Sequence, residues 1–164
     1  MKASLDPYFD AFLDPDALAI RYAELAPSLH RTPVLRSASL DAWAGAALHL
    51  KCENFQRSGA FKMRGVSNAL RELASHGLPA GGVCTHSSGN HGQALAWASG
   101  GLGIPCTVVM PSNAPQFKKD AVRAAGGRIV ECRPTLAARI EAAGVGVAHE
   151  RTDAPCKGRA LVLQ

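Results

Sequence analysis

The apolar positions of this chain recur with two distinct periods. Leu18, Tyr22 and Leu25 share one helical face, with Asp14 at the cap position and Pro15 in the first turn, so a helix is predicted to run from there to a stop at Pro27. After the Thr32-Pro33 turn and a short polar stretch, residues 46–51 read as a strand and 52–59 as a loop. Met63, Val66, Leu70 and Leu73 then return at helical spacing, which predicts a helix over 60–75 with Gly77 as its left-handed cap.

From Val83 onward the pattern alternates. Strands are expected at 83–86, 106–110 and 128–132, the second closed by Pro111. Helices are expected at 92–99 and 115–125, ended by Gly100-Gly101 and Gly126-Gly127. Near-continuous apolar strands separated by capped helices predict an α/β fold, a parallel sheet with helices on both faces. Ligands of such sheets gather at the carboxyl ends of the strands.

Composition narrows the class. The 164 residues suffice for one domain and part of a second, and 47% hydrophobic with 19% charged residues is a soluble, globular balance. No apolar run approaches the roughly 18 residues of a membrane-spanning helix. Asp6, Asp10, Asp14 and Asp16 stand where a signal peptide would be basic, so the chain reads as cytoplasmic and without a membrane partner. The five cysteines, Cys52, Cys84, Cys106, Cys132 and Cys156, lack metal or dithiol spacing and read mostly as small buried hydrophobes. Of the net charge of +5, most lies in residues 113–164, with nine Lys or Arg against five Asp or Glu. Those bases are dispersed and no aromatic residues interleave with them, which argues against a nucleic-acid partner. His86 and His91 have no cysteine or carboxylate at ligand spacing, so no metal site is expected.

Two segments carry chemistry, each where a loop or strand end meets a helix start. In Ser58-Gly59-Ala60-Phe61-Lys62-Met63-Arg64-Gly65 the lysine has small neighbours that admit a flat ligand. The amino end of a helix disfavours positive charge, which would favour the neutral, nucleophilic amine. The second segment, Thr85-His86-Ser87-Ser88-Gly89-Asn90-His91-Gly92-Gln93, offers successive backbone amides beside two hydroxyls, a site suited to a carboxylate. Each has a plain alternative, a surface lysine in the first case and a helix cap in the second, and neither segment alone decides between its readings.

Together the two segments resemble the fold-type II pyridoxal-phosphate (PLP) enzymes, which carry a lysine in a Gly-Ala/Ser-Phe-Lys-x-Arg-Gly context and a Ser-x-Gly-Asn loop further on. The form of the second segment is similar to serine/threonine dehydratases and serine racemases more than to cysteine synthases. Residues 31–35, 51–54, 111–115 and 134–139 add to a resemblance that covers about 28–139. It implies a truncated tryptophan-synthase-beta-like fold, with PLP held on Lys62 as an internal aldimine and Lys62 later serving as an acid/base group. Phe61 would pack against the ring, and Asn90 would hydrogen-bond the ring oxygen. Ser87, Ser88, Gly89 and His91 would hold the substrate carboxylate, which Arg139 would approach. Ser88 matches the hydroxyl that exchanges a proton opposite the lysine in racemases. The implied reaction is ammonia-lyase (dehydratase) or racemase chemistry on serine- or threonine-type hydroxy amino acids, in a homo-oligomer.

The chain also departs from that family, whose members continue well beyond this length with a glycine run that binds the PLP phosphate and a partner for the pyridine nitrogen. Adjacent glycines occur here only as the pairs 81-82, 100-101 and 126-127, and residues 140–164 show no clear period. The expectation is a reading frame shifted or truncated after about Arg139: an incomplete large-domain part over 1–76, a small nested domain over 77–147 and an aberrant tail over 148–164. Residues before the nested domain would then leave apolar surface exposed. The alternative to an active enzyme is a catalytically silent fragment that docks with an intact homologue.

Overall fold

The computed structural model describes residues 14–78, 81–144 and 161–162. Asp6, Asp10, Cys156, the end of the expected nested domain and most of the expected tail lie outside the described residues.

Helix α1, Pro15–Leu25, starts as the sequence predicts, with the Asp14 carboxylate accepting from the Asp16 amide at 3.1 Å. Of its expected apolar face only Leu25 is buried, while Leu18 and Tyr22 are 52% and 42% exposed. The helix instead reaches the rest of the fold through ion pairs, Arg21 with Glu72 at 3.5 Å and Glu24 with Arg71 at 3.1 Å.

The expected strand over 46–51 contracts to β2, Leu50–Lys51, which pairs antiparallel with β1, Val34–Leu35. Between them the stretch read as a polar connection forms α2, Ala38–Ala44, closed by Gly45 in the left-handed conformation (φ 65°). Asp41 explains the difference: its carboxylate accepts from the Leu48 amide at 2.7 Å and from Arg36 at 2.6 Å. The chain after α2 is thereby folded back on the helix instead of extending along β1.

Helix α3, Lys62–His76, begins two residues later than expected because Ala60 is extended (φ −159°, ψ 156°). Gly77 has φ 90° and ψ 126°, so it is not the left-handed cap the sequence suggested. Its buried stripe, Met63, Val66 and Leu70, follows the predicted period.

The main sheet contains β3 (Val83–His86), β4 (Cys106–Pro111), β5 (Arg128–Cys132) and β6 (Leu161–Val162), all parallel, in the order β5-β4-β3-β6. The short β6 falls within the span read as an aberrant tail, and it pairs with Val83 and Cys84. Helix α4, Asn90–Gly101, begins two residues earlier than expected and keeps both glycines in its last turn; the positive φ comes at Gly103 (φ 67°). Helix α5, Gln116–Ala124, is followed by Gly126 (φ 86°) as predicted. Helix α6, Leu136–Ala143, was not predicted; the Thr135 hydroxyl caps it by accepting from the Ala138 amide at 3.2 Å.

Alternation along the central strands splits the core in two. Val83, Val108 and Met110 pack with Met63, Leu70 and Leu95 of α3 and α4, while Cys84 and Val109 point to the other face and meet Ala143 of α6. The expected parallel sheet covered on both faces is therefore present. Each large side chain fully buried there contributes about 1.5–3 kcal/mol. The amino-terminal ribbon differs: no residue of 33–51 is buried, and Trp43 is 85% exposed.

Candidate active site

The loop before α3 is held by polar side chains. Gln56, only 3% exposed, accepts from the His30 amide at 2.8 Å and donates to the His30 carbonyl at 2.9 Å. Arg64, in the first turn of α3, grips Glu53 with two hydrogen bonds of 2.8 and 2.7 Å, and the Thr32 hydroxyl donates to the same carboxylate at 2.6 Å. The hydrogen bonds from Arg64, joined by Thr32 and opposed by burial, hold the Glu53 carboxyl at about 2, well below its ordinary range. The same bonds raise Arg64.

This frame ends in a tight turn. Ser58 (φ 61°) and Gly59 (φ 68°) both take positive φ, and Ser58 is the sole non-glycine to do so among the described residues. Lys62 follows as the first residue of α3, exposed, with Nζ 5.2 Å from the centre of the Phe61 ring. Phe61, Lys62, Arg64, Gly65, Val66, Ala69 and His91 line a cavity of about 320 Å³. A Cβ on Gly65 would meet nothing within 4 Å, so the wall beside Lys62 is open.

His91 arrives from the carboxyl end of β3. The Ser87 amide donates to the Val109 carbonyl at 3.1 Å, and the Ser87 hydroxyl accepts from the Gly89 amide at 3.2 Å, which bends the chain into α4. A Cβ on Gly92 would stand 2.9 Å from the Ser87 carbonyl oxygen and from Val108 Cγ1, so a glycine there lets the first turn of α4 lie against the sheet. Asn90 opens the helix and is exposed. The free amides of that helix start suit an anion.

Phe61, Lys62 and His91 thus meet at one cavity. Ser87, Ser88, Gly89 and Asn90 form the turn leading into His91 but are not among the described residues lining it. Arg139 is not among them either; it stands on α6, where it partly offsets the upward push of burial on the Cys132 thiol. Thr32, Glu53 and Gln56 had no assigned role in the sequence, because polar residues in a loop show no period and Gln56's burial depends on the distant His30. Among the described residues, no group of three or more His, Cys, Asp or Glu could hold a metal, and no helix is long and apolar enough to cross a membrane. Chemically, the arrangement offers an accessible primary amine, an aromatic face beside it and an amide-rich turn for an anion.

Comparison with known proteins bears on the same residues. Residues 25–155 match the family described as pyridoxal-phosphate dependent enzyme, a span that runs beyond residue 139, where the sequence resemblance had ended. The chain is 50% identical over 120 residues to the beta-hydroxyaspartate dehydratase of Paracoccus denitrificans (strain Pd 1222), covering 73% of this chain and 38% of that protein. Its fold superposes on the maize serine racemase with a TM-score of 0.70 at 41% identity, covering 83% of this chain and 43% of the other. With a bacterial threonine deaminase, that of T.th., the TM-score is 0.66 at 37% identity, covering 80% and 41%. The chain therefore spans less than half the length of these relatives. A match over most of the chain, centred on the lysine helix and the turn that faces it, means that this chain belongs to the pyridoxal-phosphate dependent enzyme family.

Proposed function

We propose that this chain carries the lysine-bearing part of a PLP site and serves a dehydratase (ammonia-lyase) or racemase of serine- or threonine-type hydroxy amino acids. The observation that carries the reading is the Lys62 amine in one cavity with Phe61 and His91. Relatives named as a hydroxyaspartate dehydratase, a serine racemase and a threonine deaminase support the substrate class. The reading includes a cytoplasmic location and a homo-oligomer.

The residues present fit the ring end of PLP. An exposed primary amine suits its aldehyde, the Phe61 ring suits its flat face, and open space at Gly65 admits it. The glycine run that the family uses for phosphate is not among the described residues. Bound PLP supplies an electron sink for the pair left when a substrate's α proton departs. In this reading Lys62 Nζ holds the cofactor and moves that proton. Phe61 covers one ring face and Asn90 donates to the ring oxygen. Ser87, Ser88, Gly89 and His91 orient the substrate carboxylate with Arg139, and the Ser88 hydroxyl exchanges a proton on the face opposite Lys62.

The test is the absorption spectrum of the purified chain with PLP before and after borohydride, beside Lys62→Ala. A band that reduction fixes onto Lys62, with keto acid released from serine, threonine or hydroxyaspartate, is the expected result. Labelling no greater than in Lys62→Ala would sink the reading. A second reading, a silent fragment that docks with an intact homologue, is favoured by the wholly unburied stretch 33–51. Co-purification with a full-length PLP enzyme, without labelling of Lys62, would select it.

A further inference from the structure

We propose a second small-molecule site, for a monocarboxylate with an apolar body, in the cavity enclosed by α1, α3 and α4. This cavity measures about 440 Å³ and shares no lining residue with the Lys62 cavity. Helix α3 divides them: Met63, Ser67 and Arg71 face this one, whereas Lys62, Val66 and Ala69 face the other. Its size falls in the range of about 300–1,000 Å³ usual for ligand sites, which are mostly apolar with a few polar groups.

Two of its polar groups lack partners. Ser67 is 6% exposed, and its hydroxyl is buried without a hydrogen bond in the structure. Arg57 Nε is likewise buried without a hydrogen bond, although the guanidinium lies 4.8 Å from the centre of the Trp97 ring. Buried polar groups in native folds are normally satisfied, so both call for a partner. Arg57 stays charged and has no acidic partner among the described residues, while the other lining arginine, Arg71, is paired with Glu24 at 3.1 Å.

These features define the ligand. One unpaired cation calls for a single negative charge, and its planar fork matches a carboxylate. A dianion would leave one charge uncompensated beside Glu24. Met63, Leu25 and Ala98, all nearly fully buried, form an apolar wall for the rest of the molecule. The Ser67 hydroxyl can donate to the second carboxylate oxygen or to a substituent on the body.

The experiment uses the full chain with Trp43→Phe, which leaves Trp97 as the remaining tryptophan of the two in the sequence. Trp97 emission is followed on titration with phenylacetate and, separately, with neutral phenylacetamide. The expected result is a saturable change with phenylacetate and at least about tenfold weaker binding of phenylacetamide. Arg57→Gln should weaken phenylacetate to the same degree, and Ser67→Leu, which fills the cavity, should remove the response. No saturation with phenylacetate, or equal affinity for the amide, overturns the proposal; that comparison needs neither Arg57→Gln nor Ser67→Leu to fold. Because Lys62 takes no part, labelling by PLP can succeed or fail independently.

Discussion

Glu53 shows how single side chains set up the Lys62 segment without touching it. Its carboxylate joins Thr32, at the entry to the β1–β2 ribbon, to Arg64 in the first turn of α3. With the folded carboxyl held at about 2 against an ordinary 4.5, the bridge stabilises fully above pH 4.5, and the contribution is lost as pH falls through 2. Glu53→Gln should therefore cost about 1–2 kcal/mol at neutral pH, since it leaves a half-buried arginine with a weaker acceptor. Urea unfolding of both proteins from neutral to acid pH should show that difference shrinking below 4.5. A gap that stays constant with pH would show that the carboxylate's charge is not what holds the loop.

At the scale of elements, the seating of α4 against the sheet determines where the Ser87–His91 turn stands. Gly92 is the point of closest approach, with Ser87 and Val108 both 2.9 Å from where a Cβ would lie. The Ser87 contact is backbone and cannot swing aside, so Gly92→Ala must tilt or lift the first turn of α4. The expected cost is about 1–3 kcal/mol, outweighing the gain in helix propensity from replacing glycine. Thermal unfolding of Gly92→Ala checks this. A variant as stable as the parent would mean that the turn relaxes freely and is not rigidly posed.

Across the whole molecule, burial is uneven. The parallel sheet has packed side chains on both faces, while residues 33–51 contribute none to the core and Trp43, Phe55 and Leu35 are 85%, 58% and 52% exposed. Concentrated apolar exposure of this kind marks a surface that associates. The folded chain should bind an environment-sensitive dye such as anilinonaphthalene sulfonate. Replacing Leu35, Trp43 and Phe55 together by serine should reduce that binding, at a stability cost below about 0.5 kcal/mol per exposed site. Undiminished dye binding in the triple variant would place the accessible apolar surface elsewhere.

The residues alone determined the strands at 83–86 and 128–132, the α3 core stripe, the parallel sheet and the lysine motif, because these depend on periodicity and punctuation within a few residues. Helix α2, the shortening of β2 and the loss of the left-handed cap at Gly77 were decided by tertiary structure. Asp41 reaches Leu48 through space, and that bond overrides the apolar run over 46–51. The Gln56 clasp on His30 and the Glu53 bridge to Arg64 span 26 and 11 residues, distances over which a linear pattern carries no signal. The same holds for the cavity beside Ser67. On the helical wheel of α3 that serine is only a polar residue, and it becomes a buried, unpartnered hydroxyl once α1 and α4 close around it.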